Sequence, residues 1–239
     1  MMGDSLGDRM KSQYENRTRF SLPRRTYTII RLDGRAFHSF CRNLERPFDY
    51  QFMRDMDATA VHLCEQLQGS AYAYVQSDEI SILLTDFAKI TTDAWFDGNV
   101  QKMVSVGASI ATAYFNSLRL SMATFDARVF TIPDAIEVSN YFVWRQQDAS
   151  RNSVQMVAQS LYSHKELHGK NVNEQQDLIH LKGMNWNDYP VRAKRGGFVC
   201  YRDQRWTVED PPIFTQDLAY LGSLTPTMCG GWWKGESNE

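Results

Sequence analysis

The chain has 239 residues, 43% of them hydrophobic and 13% aromatic, and a formal net charge of −2. This length and composition suit one large domain with a real core. No segment approaches the roughly 18 apolar residues of a membrane span, and the near-neutral charge argues against a surface that grips nucleic acid everywhere. The polar N-terminus lacks a signal-peptide pattern, and the cysteines are too scattered for a zinc site or disulfide framework. We therefore expect a reducing, cytoplasmic setting with no membrane attachment. The cysteines are Cys41, Cys64, Cys200 and Cys229.

A basic segment precedes the first predicted strand. Four arginines fall within nine residues: Arg17, Arg19, Arg24 and Arg25. An ordinary solvated N-terminal segment carries such charges, and so does a segment that contacts a phosphate backbone. The sequence leaves both interpretations open.

The first half of the chain alternates between strand and helix patterns. A β-branched, apolar segment from Thr26 to Leu32 predicts a strand that ends at Asp33-Gly34. Asp49 is a plausible N-cap for a helix that Gly69 stops. The later elements are strands at 71–75 and 80–84 around a turn at 76–79, a helix from about 100 to 116, and a strand from about 124 to 132.

This order, β-α-β-β-α-β, is that of the ferredoxin-like split βαβ arrangement. It predicts an α+β fold in which two helices cover one face of a four-stranded antiparallel sheet with strand order 4-1-3-2. We assign residues 1–133 to this core and its basic N-terminal segment.

The second half shows a different pattern. Residues 134–161 are predicted to be mostly helical, and Asn173 is a candidate cap for a short helix that ends at Leu181. A turn at 194–197 leads into a strand at 198–201 that can pair with 205–208. We expect residues 134–239 to form a mostly helical extension with a small hairpin, packed on the core, and a loose tail after Met228.

The predicted topology brings two distant carboxylates together. The first and third strands are antiparallel neighbours, so the end of one and the start of the other lie at the same edge of the sheet. Asp33 and Asp78 occupy these positions. Two adjacent carboxylates repel unless a cation joins them, and oxygen ligands suit Mg²⁺. We therefore predict two Mg²⁺ ions that clamp the attacking and leaving oxygens of a nucleotide reaction. The alternative is that both sites are ordinary turns, since Asp-Gly after a strand and Ser-Asp-Glu at a hairpin tip are each common.

Further residues at this edge suit a triphosphate. The segment from Gly34 to His38 (Gly34, Arg35, Ala36, Phe37, His38) offers small residues, two possible cations and backbone N–H groups. Gly34 also permits the backbone to approach a phosphate or a metal. Arg46 and Lys102, near the starts of two helices, are candidate anion ligands, with a plain surface cation as the alternative for each.

At these residues the chain resembles the tRNA-His guanylyltransferase family, whose members extend RNA in the 3′-to-5′ direction. The resemblance covers residues 26–150 well and the rest loosely. It is carried by the segments at 31–40 (RLDGRAFHSF), 46–49 (RPFD), 73–81 (AYVQSDEIS), 102–105 (KMVS), 125–128 (FDAR) and 144–148 (WRQQD).

The resemblance implies a core like a polymerase palm and assigns site residues to this chain. Two Mg²⁺ ions are held by Asp33, Asp78 and the Gly34 carbonyl, and Glu79 supports activity. The other implied nucleotide-binding positions are the rest of the segment 34–38 with Ser77, then Lys102 and Arg128 near a triphosphate, and Arg46 and Asp49 near the activating nucleotide.

The implied reaction has two nucleotidyl-transfer steps. ATP activates the 5′-monophosphate of a tRNA, and the 3′-hydroxyl of an incoming nucleotide such as GTP then attacks that phosphate and displaces AMP. The implied partners are tRNA and nucleoside triphosphates, and the implied assembly is a homotetramer.

The chain departs from the eukaryotic pattern at 150–153. Eukaryotic guanylyltransferases carry His-Ile-Asn-Asn there, a motif tied to adding one G to tRNA-His, whereas this chain has Ser-Arg-Asn-Ser and keeps only Asn152. A Lys-Asn-Glu motif is also altered near 175–177. The chain therefore looks more like the bacterial members, which repair 5′-truncated tRNAs by templated addition. Three alternatives stay open: single-G addition to tRNA-His, an RNA-independent cyclase-like enzyme, and an RNA-binding module without catalysis.

Overall fold

The computed structural model describes residues 5–89, 91–119 and 122–227. Within these ranges six strands form one antiparallel sheet, in the order β4-β1-β3-β2-β5-β6. The strands are β1 (Tyr27–Gly34), β2 (Ser70–Gln76), β3 (Glu79–Leu84), β4 (Phe125–Ile132), β5 (Gly197–Arg202) and β6 (Arg205–Glu209).

The helices follow the predicted order, with additional short ones. They are α1 (Leu6–Gln13), α2 (Phe37–Phe40), α3 (Tyr50–Gln66), α4 (Val100–Leu118), α5 (Ala135–Leu161), α6 (His164–Leu167), α7 (Val172–Leu181), α8 (Val191–Arg195) and α9 (Leu218–Leu224). No helix in the described part of the chain is long and apolar enough to cross a bilayer.

The predicted α+β fold and its central strand order 4-1-3-2 are confirmed. Among the described residues the sheet has six strands, two more than the four predicted, because the C-terminal hairpin joins it. Strand β5 pairs with the outer edge of β2, for example Tyr72 with Cys200, and β6 follows it. The hairpin continues the ladder because the outer edge of β2 would otherwise leave backbone groups unpaired.

Strand β1 is longer than predicted. Asp33 and Gly34 belong to it, since Asp33 lies opposite Glu79 of β3 and Gly34 lies opposite Phe125 of β4. An Asp-Gly pair usually ends a strand, but both neighbouring strands extend far enough here to pair with it. The first aspartate is therefore part of the rigid sheet.

Helix caps follow local chemistry. Asp49 caps α3 as predicted, accepting a 2.7 Å hydrogen bond from the backbone N–H of Phe52. The prediction that Asn173 caps α7 was wrong. The cap is Asn171, because Glu174 stands three residues later and completes a reciprocal capping box with it.

The two faces of the sheet carry different cores. Ile30 and Leu32 point to α3 and α4, where they join Met56 and Phe115. Ile29, on the alternate side of β1, belongs to a second cluster with residues of α5. Helix α5 therefore covers the face toward which Asp33 also points.

The arginines of the basic segment separate into two pairs. Arg24 and Arg25 fold back onto Asp86, which follows β3; Arg24 Nε lies 2.9 Å from its carboxylate. Arg17 and Arg19 are exposed. The phosphate-contact interpretation is therefore disfavoured for Arg24 and Arg25, whose guanidinium groups serve the fold.

Candidate active site

The structure brings Asp33 and Asp78 to one edge of the sheet. Strand β3 begins immediately after the turn Ser77–Asp78, and the backbone N–H of Gly34 donates a 3.1 Å hydrogen bond to the carbonyl of Asp78. The pKa of Asp78 is raised to about 6, mainly by burial and to a lesser extent by the negative charge of Asp33. The charged form of Asp78 is therefore disfavoured, and a cation bound beside it would stabilise that form.

Two more acidic residues share this end of the sheet. Glu79 and Asp126 lie directly opposite Asp33 on the two neighbouring strands, so their side chains share its face. The sequence singled out the segment 125–128 without assigning a role to Asp126. The register of β4, which places Asp126 beside Asp33, was the missing information.

Arg128 is the nearest cation to Asp33 among the ion pairs of the described residues. Its Nη2 lies 3.9 Å from Asp33 and 3.7 Å from Asp126, and its side chain is 53% exposed. An exposed pair at this distance gives little compensation in water. Arg128 therefore lies beside Asp33 with most of its side chain free of close ion pairing.

Glu79 faces a different environment. Arg145 of α5 donates two hydrogen bonds to it, from Nε at 2.8 Å and from Nη2 at 2.9 Å. Burial raises the pKa of Glu79, while the charge of Arg145 acts in the opposite direction. Both carboxylate oxygens are thus engaged by a protein cation, which distinguishes Glu79 from the two aspartates.

A large cavity opens beside Asp78. Its volume is about 510 Å³, which is sufficient for a nucleotide. It brings together half of the predicted nucleotide-binding residues, and Arg42 adds a cation that the sequence did not single out. The predicted residues that line it are Phe37, His38, Arg46, Asp49, Ser77 and Asp78.

The wall of this cavity is supported by an ion pair. Arg119, at the end of α4, lies 2.6 Å from Asp55 of α3 and 3.9 Å from Asp49. Its guanidinium also lies 5.4 Å from the centre of the Phe52 ring. Arg119 was missed because no local sequence signal marks a contact between two helices so far apart in the chain.

The segment after β1 turns sharply. A Cβ added at Gly34 would lie 2.3 Å from the Phe37 ring, so packing alone demands glycine there. Ala36 adopts a left-handed backbone conformation, with φ of 58°, before α2 begins. The N–H of Arg35 donates to the carbonyl of Thr124 and so serves the fold. Arg35, Ala36 and His38 have exposed side chains.

Lys102 is the predicted site residue that the structure keeps apart. It lies in the first turn of α4, with its Nζ 5.8 Å from the centre of the Phe96 ring. Helix α4 begins near the end of β3, which is the edge opposite to Asp33. Within one chain, Lys102 therefore does not join the other nucleotide-binding candidates.

The residues present fit Mg²⁺. The donors at the edge are carboxylate and carbonyl oxygens from Asp33, Asp78 and Gly34, and burial together with the charge of Asp33 raises the pKa of Asp78. No group of three or more His, Cys, Asp or Glu residues in the described ranges forms a ready-made metal site. Mg²⁺ characteristically needs only one or two carboxylates when substrate phosphates complete its shell.

Comparisons with known proteins match this geometry. A model of the family described as tRNAHis guanylyltransferase matches residues 7–133, more than half of the chain. The chain belongs to this family. Its members are nucleotidyltransferases that act in tRNA processing, so the family resemblance of the sequence is confirmed.

The similarity to solved structures extends over nearly the whole chain. A bacterial tRNA(His) guanylyltransferase-like protein in complex with ATP is 44% identical, with a TM-score of 0.89, over 93% of this chain and 100% of that one. A structure of such a bacterial protein in complex with GTP is 43% identical, with a TM-score of 0.82, over 92% and 99%.

Curated relatives are more distant. The tRNA(His) guanylyltransferase of Debaryomyces hansenii is 32% identical over 60% of this chain and 59% of that protein. The enzyme of Schizosaccharomyces pombe is 27% identical over 83% of this chain and 82% of that one.

The altered motifs occupy two distinct places. Residues 150–153 lie on α5, and Asn152 lines a smaller cavity of about 60 Å³ that shares Ser77 with the larger one. Residues 175–177 lie on α7. The amide of Gln175 donates to the carbonyl of Lys170, so it acts within the helical extension.

Proposed function

We propose that this protein is a template-dependent 3′-to-5′ nucleotidyltransferase that activates and extends the 5′ end of truncated tRNAs. The observation that carries the proposal is the meeting of Asp33 and Asp78 at one edge of the sheet, where Asp78 also lines a nucleotide-sized cavity. The similarity to bacterial members bound to ATP and GTP supports both nucleotides as substrates.

The side chains at the edge divide the work of the reaction. Asp33, Asp78 and the Gly34 carbonyl would hold two Mg²⁺ ions, which when bound would stabilise the charge that develops on the reacting phosphate. The cavity beside Asp78 would take the activating ATP, with Arg42 and Arg46 offsetting its negative charge.

Two displacements at phosphorus complete the proposed cycle. A 5′-phosphate oxygen of the tRNA first attacks the α-phosphate of ATP, and pyrophosphate leaves. The 3′-hydroxyl of the incoming nucleotide then attacks the activated 5′-phosphate of the tRNA, loses its proton, and AMP leaves. The chain's own contribution is to hold both partners in line, which supplies most of the catalysis in phosphoryl transfer.

Repair is favoured over single-G addition by the stretch at 150–153. Only Asn152 of the eukaryotic motif is present, and it faces the small cavity next to Ser77. Addition of one G to tRNA-His is the second candidate, since the family model bears that description. We further propose that residues 1–133 carry the chemistry, that residues 134–239 support it, and that the protein assembles as a homotetramer, which light scattering would test.

The test is an extension assay. A labelled tRNA lacking its first nucleotide is incubated with ATP, all four nucleoside triphosphates and Mg²⁺, and the products are sized. We expect templated growth at the 5′ end, with no growth in Asp78→Ala. The matched control is Asp203→Ala, an exposed aspartate in the β5–β6 turn, which should extend normally.

The alternatives give different products. A cyclic nucleotide formed without RNA would favour a cyclase, and one G added only to tRNA-His, whatever the template base, would favour the second candidate. Metal-independent tRNA binding with no product from the wild type would favour a binding module and refute the proposal.

A further inference from the structure

We propose that Arg145 is a positioning residue for the metal-binding turn, acting through Glu79; this inference rests on the proposed function. Arg145 comes from α5, outside the metal-binding strands, and reaches across the covered face of the sheet to Glu79. The two side chains are only 6% and 10% exposed, so their pairing is shielded from solvent.

The contact fixes the orientation of Glu79. Two parallel hydrogen bonds from one guanidinium hold the carboxylate in a single plane, and the hydroxyl of Ser81 lies 3.2 Å from Glu79 Oε1. A carboxylate engaged in this way is drawn toward α5. Glu79 therefore serves as an anchor, whereas Asp33 and Asp78 provide the oxygens for metal.

Glu79 is well placed to transmit this restraint. It follows Asp78 directly in the chain and lies opposite Asp33 in the register of β1 and β3. The turn that joins β2 to β3 at Ser77 and Asp78 is tight. Ser77 has a positive φ of 46°, which an L residue adopts only under restraint. Holding Glu79 therefore fixes the separation of the two aspartates.

Two contacts besides the one with Glu79 hold Arg145 in place. Its Nη2 donates a 2.7 Å hydrogen bond to Asp148, which Arg151 also contacts at 2.6 Å. Its guanidinium lies 4.2 Å from the centre of the Trp144 ring. A second tie between α5 and β3 joins Tyr141 to Ser81 at 2.9 Å. The anchor is therefore a rigid part of α5.

The competing explanation is a buried ion pair that only stabilises the fold. Such a pair would change the stability of the protein when broken but would leave metal affinity unchanged in molecules that remain folded. A positioning role predicts that metal affinity falls in molecules that remain folded, because binding of two cations depends on the exact spacing of their ligands.

The experiment measures Mn²⁺ binding in the presence of GTP, by the electron paramagnetic resonance signal of free Mn²⁺. We expect Arg145→Gln to weaken Mn²⁺ binding at least about tenfold, and Arg145→Lys to recover part of that loss. The matched control is Arg202→Gln, which breaks the exposed pair with Glu209 in the distant hairpin and should bind normally. Circular dichroism confirms that each variant is folded.

Binding within twofold of the wild type in folded Arg145→Gln would overturn the proposal. If that variant does not fold, Arg145→Lys decides: weakening of about threefold or more supports positioning, and unchanged binding refutes it. Glu79→Gln combined with Arg145→Gln should bind no worse than the weaker single variant, because both act through one contact; fully additive losses would contradict this.

The outcome is separable from the proposed reaction. Mn²⁺ binding needs no tRNA, so a wild type that binds Mn²⁺ with GTP but extends no tRNA would refute the reaction and leave the positioning role standing. A wild type that binds no Mn²⁺ under these conditions would refute both.

Discussion

The two edges of the central sheet each gather aspartates, but only one of them balances the charge. At the edge where β1 begins, Asp86 is buried and Arg24 lies 2.9 Å from it. At the edge where β1 ends, the exposed Arg128 at 3.9 Å is the one ion-pair partner of Asp33 among the described residues, and the pKa of Asp78 is raised to about 6. The first arrangement stabilises a fold, and the second leaves charge for a ligand to neutralise.

The largest expected effect separates the edges by activity. Asp33→Asn or Asp78→Asn should lower tRNA extension by about 10³-fold or more, since each removes a metal-binding carboxylate while keeping its shape. Single-turnover extension measures the loss. A loss below tenfold in both variants would contradict the assignment of this edge as the metal site.

The opposite edge should respond in stability. Asp86→Asn removes the charge that holds the Arg24 guanidinium, so it should lower the free energy of unfolding by about 2–3 kcal/mol, at the low end for a buried pair because Arg24 is partly exposed. Urea denaturation measures this change. If Asp86→Asn instead loses nucleotide binding while its stability is unchanged, the contrast between the two edges is wrong.

Two predicted phosphate ligands can be compared across the edges. Arg128→Ala should weaken GTP binding in the presence of Mg²⁺ about tenfold, the effect of losing one charge-assisted contact of about 1.4 kcal/mol. Lys102→Ala, at the other edge, should change it less than about twofold. Isothermal titration calorimetry compares the two. Strong weakening in Lys102→Ala would show that a second copy of the chain brings this lysine to the site.

The smallest expected effect concerns pH. The pKa of Asp78 is about 6 in the fold against 3.8 as its ordinary value, so the folded state binds more protons between these limits. Metal-free protein should therefore lose stability as pH rises from about 4 to 6. Asp78→Asn should remove this loss and leave the metal-free protein more stable than the wild type at pH 7. Urea denaturation in chelator at pH 4.5 and pH 7 tests it: equal differences at both pH values would contradict the shift.

Much of the fold followed from local patterns. Alternating and helical periodicities predicted the strands and helices of the first half, and strand order alone placed Asp33 beside Asp78. The predicted end of β1 was wrong at Asp33, because pairing on both sides overrode the turn preference of Asp-Gly. A hairpin with strands at 198–201 and 205–208 was predicted, but its docking on β2 depended on a free edge that no local pattern reveals.

The sequence by itself determined the strand order and hence the meeting of two carboxylates, because backbone pairing obeys short-range rules that periodicity exposes. Only the tertiary structure decided which charges are compensated. Arg145 reaches Glu79 across 66 positions and Arg119 reaches Asp55 across 64, through long side chains whose partners depend on how helices dock. That docking joined Glu79 to Arg145 of α5 and left Asp33 and Asp78 without a buried arginine partner among the described residues.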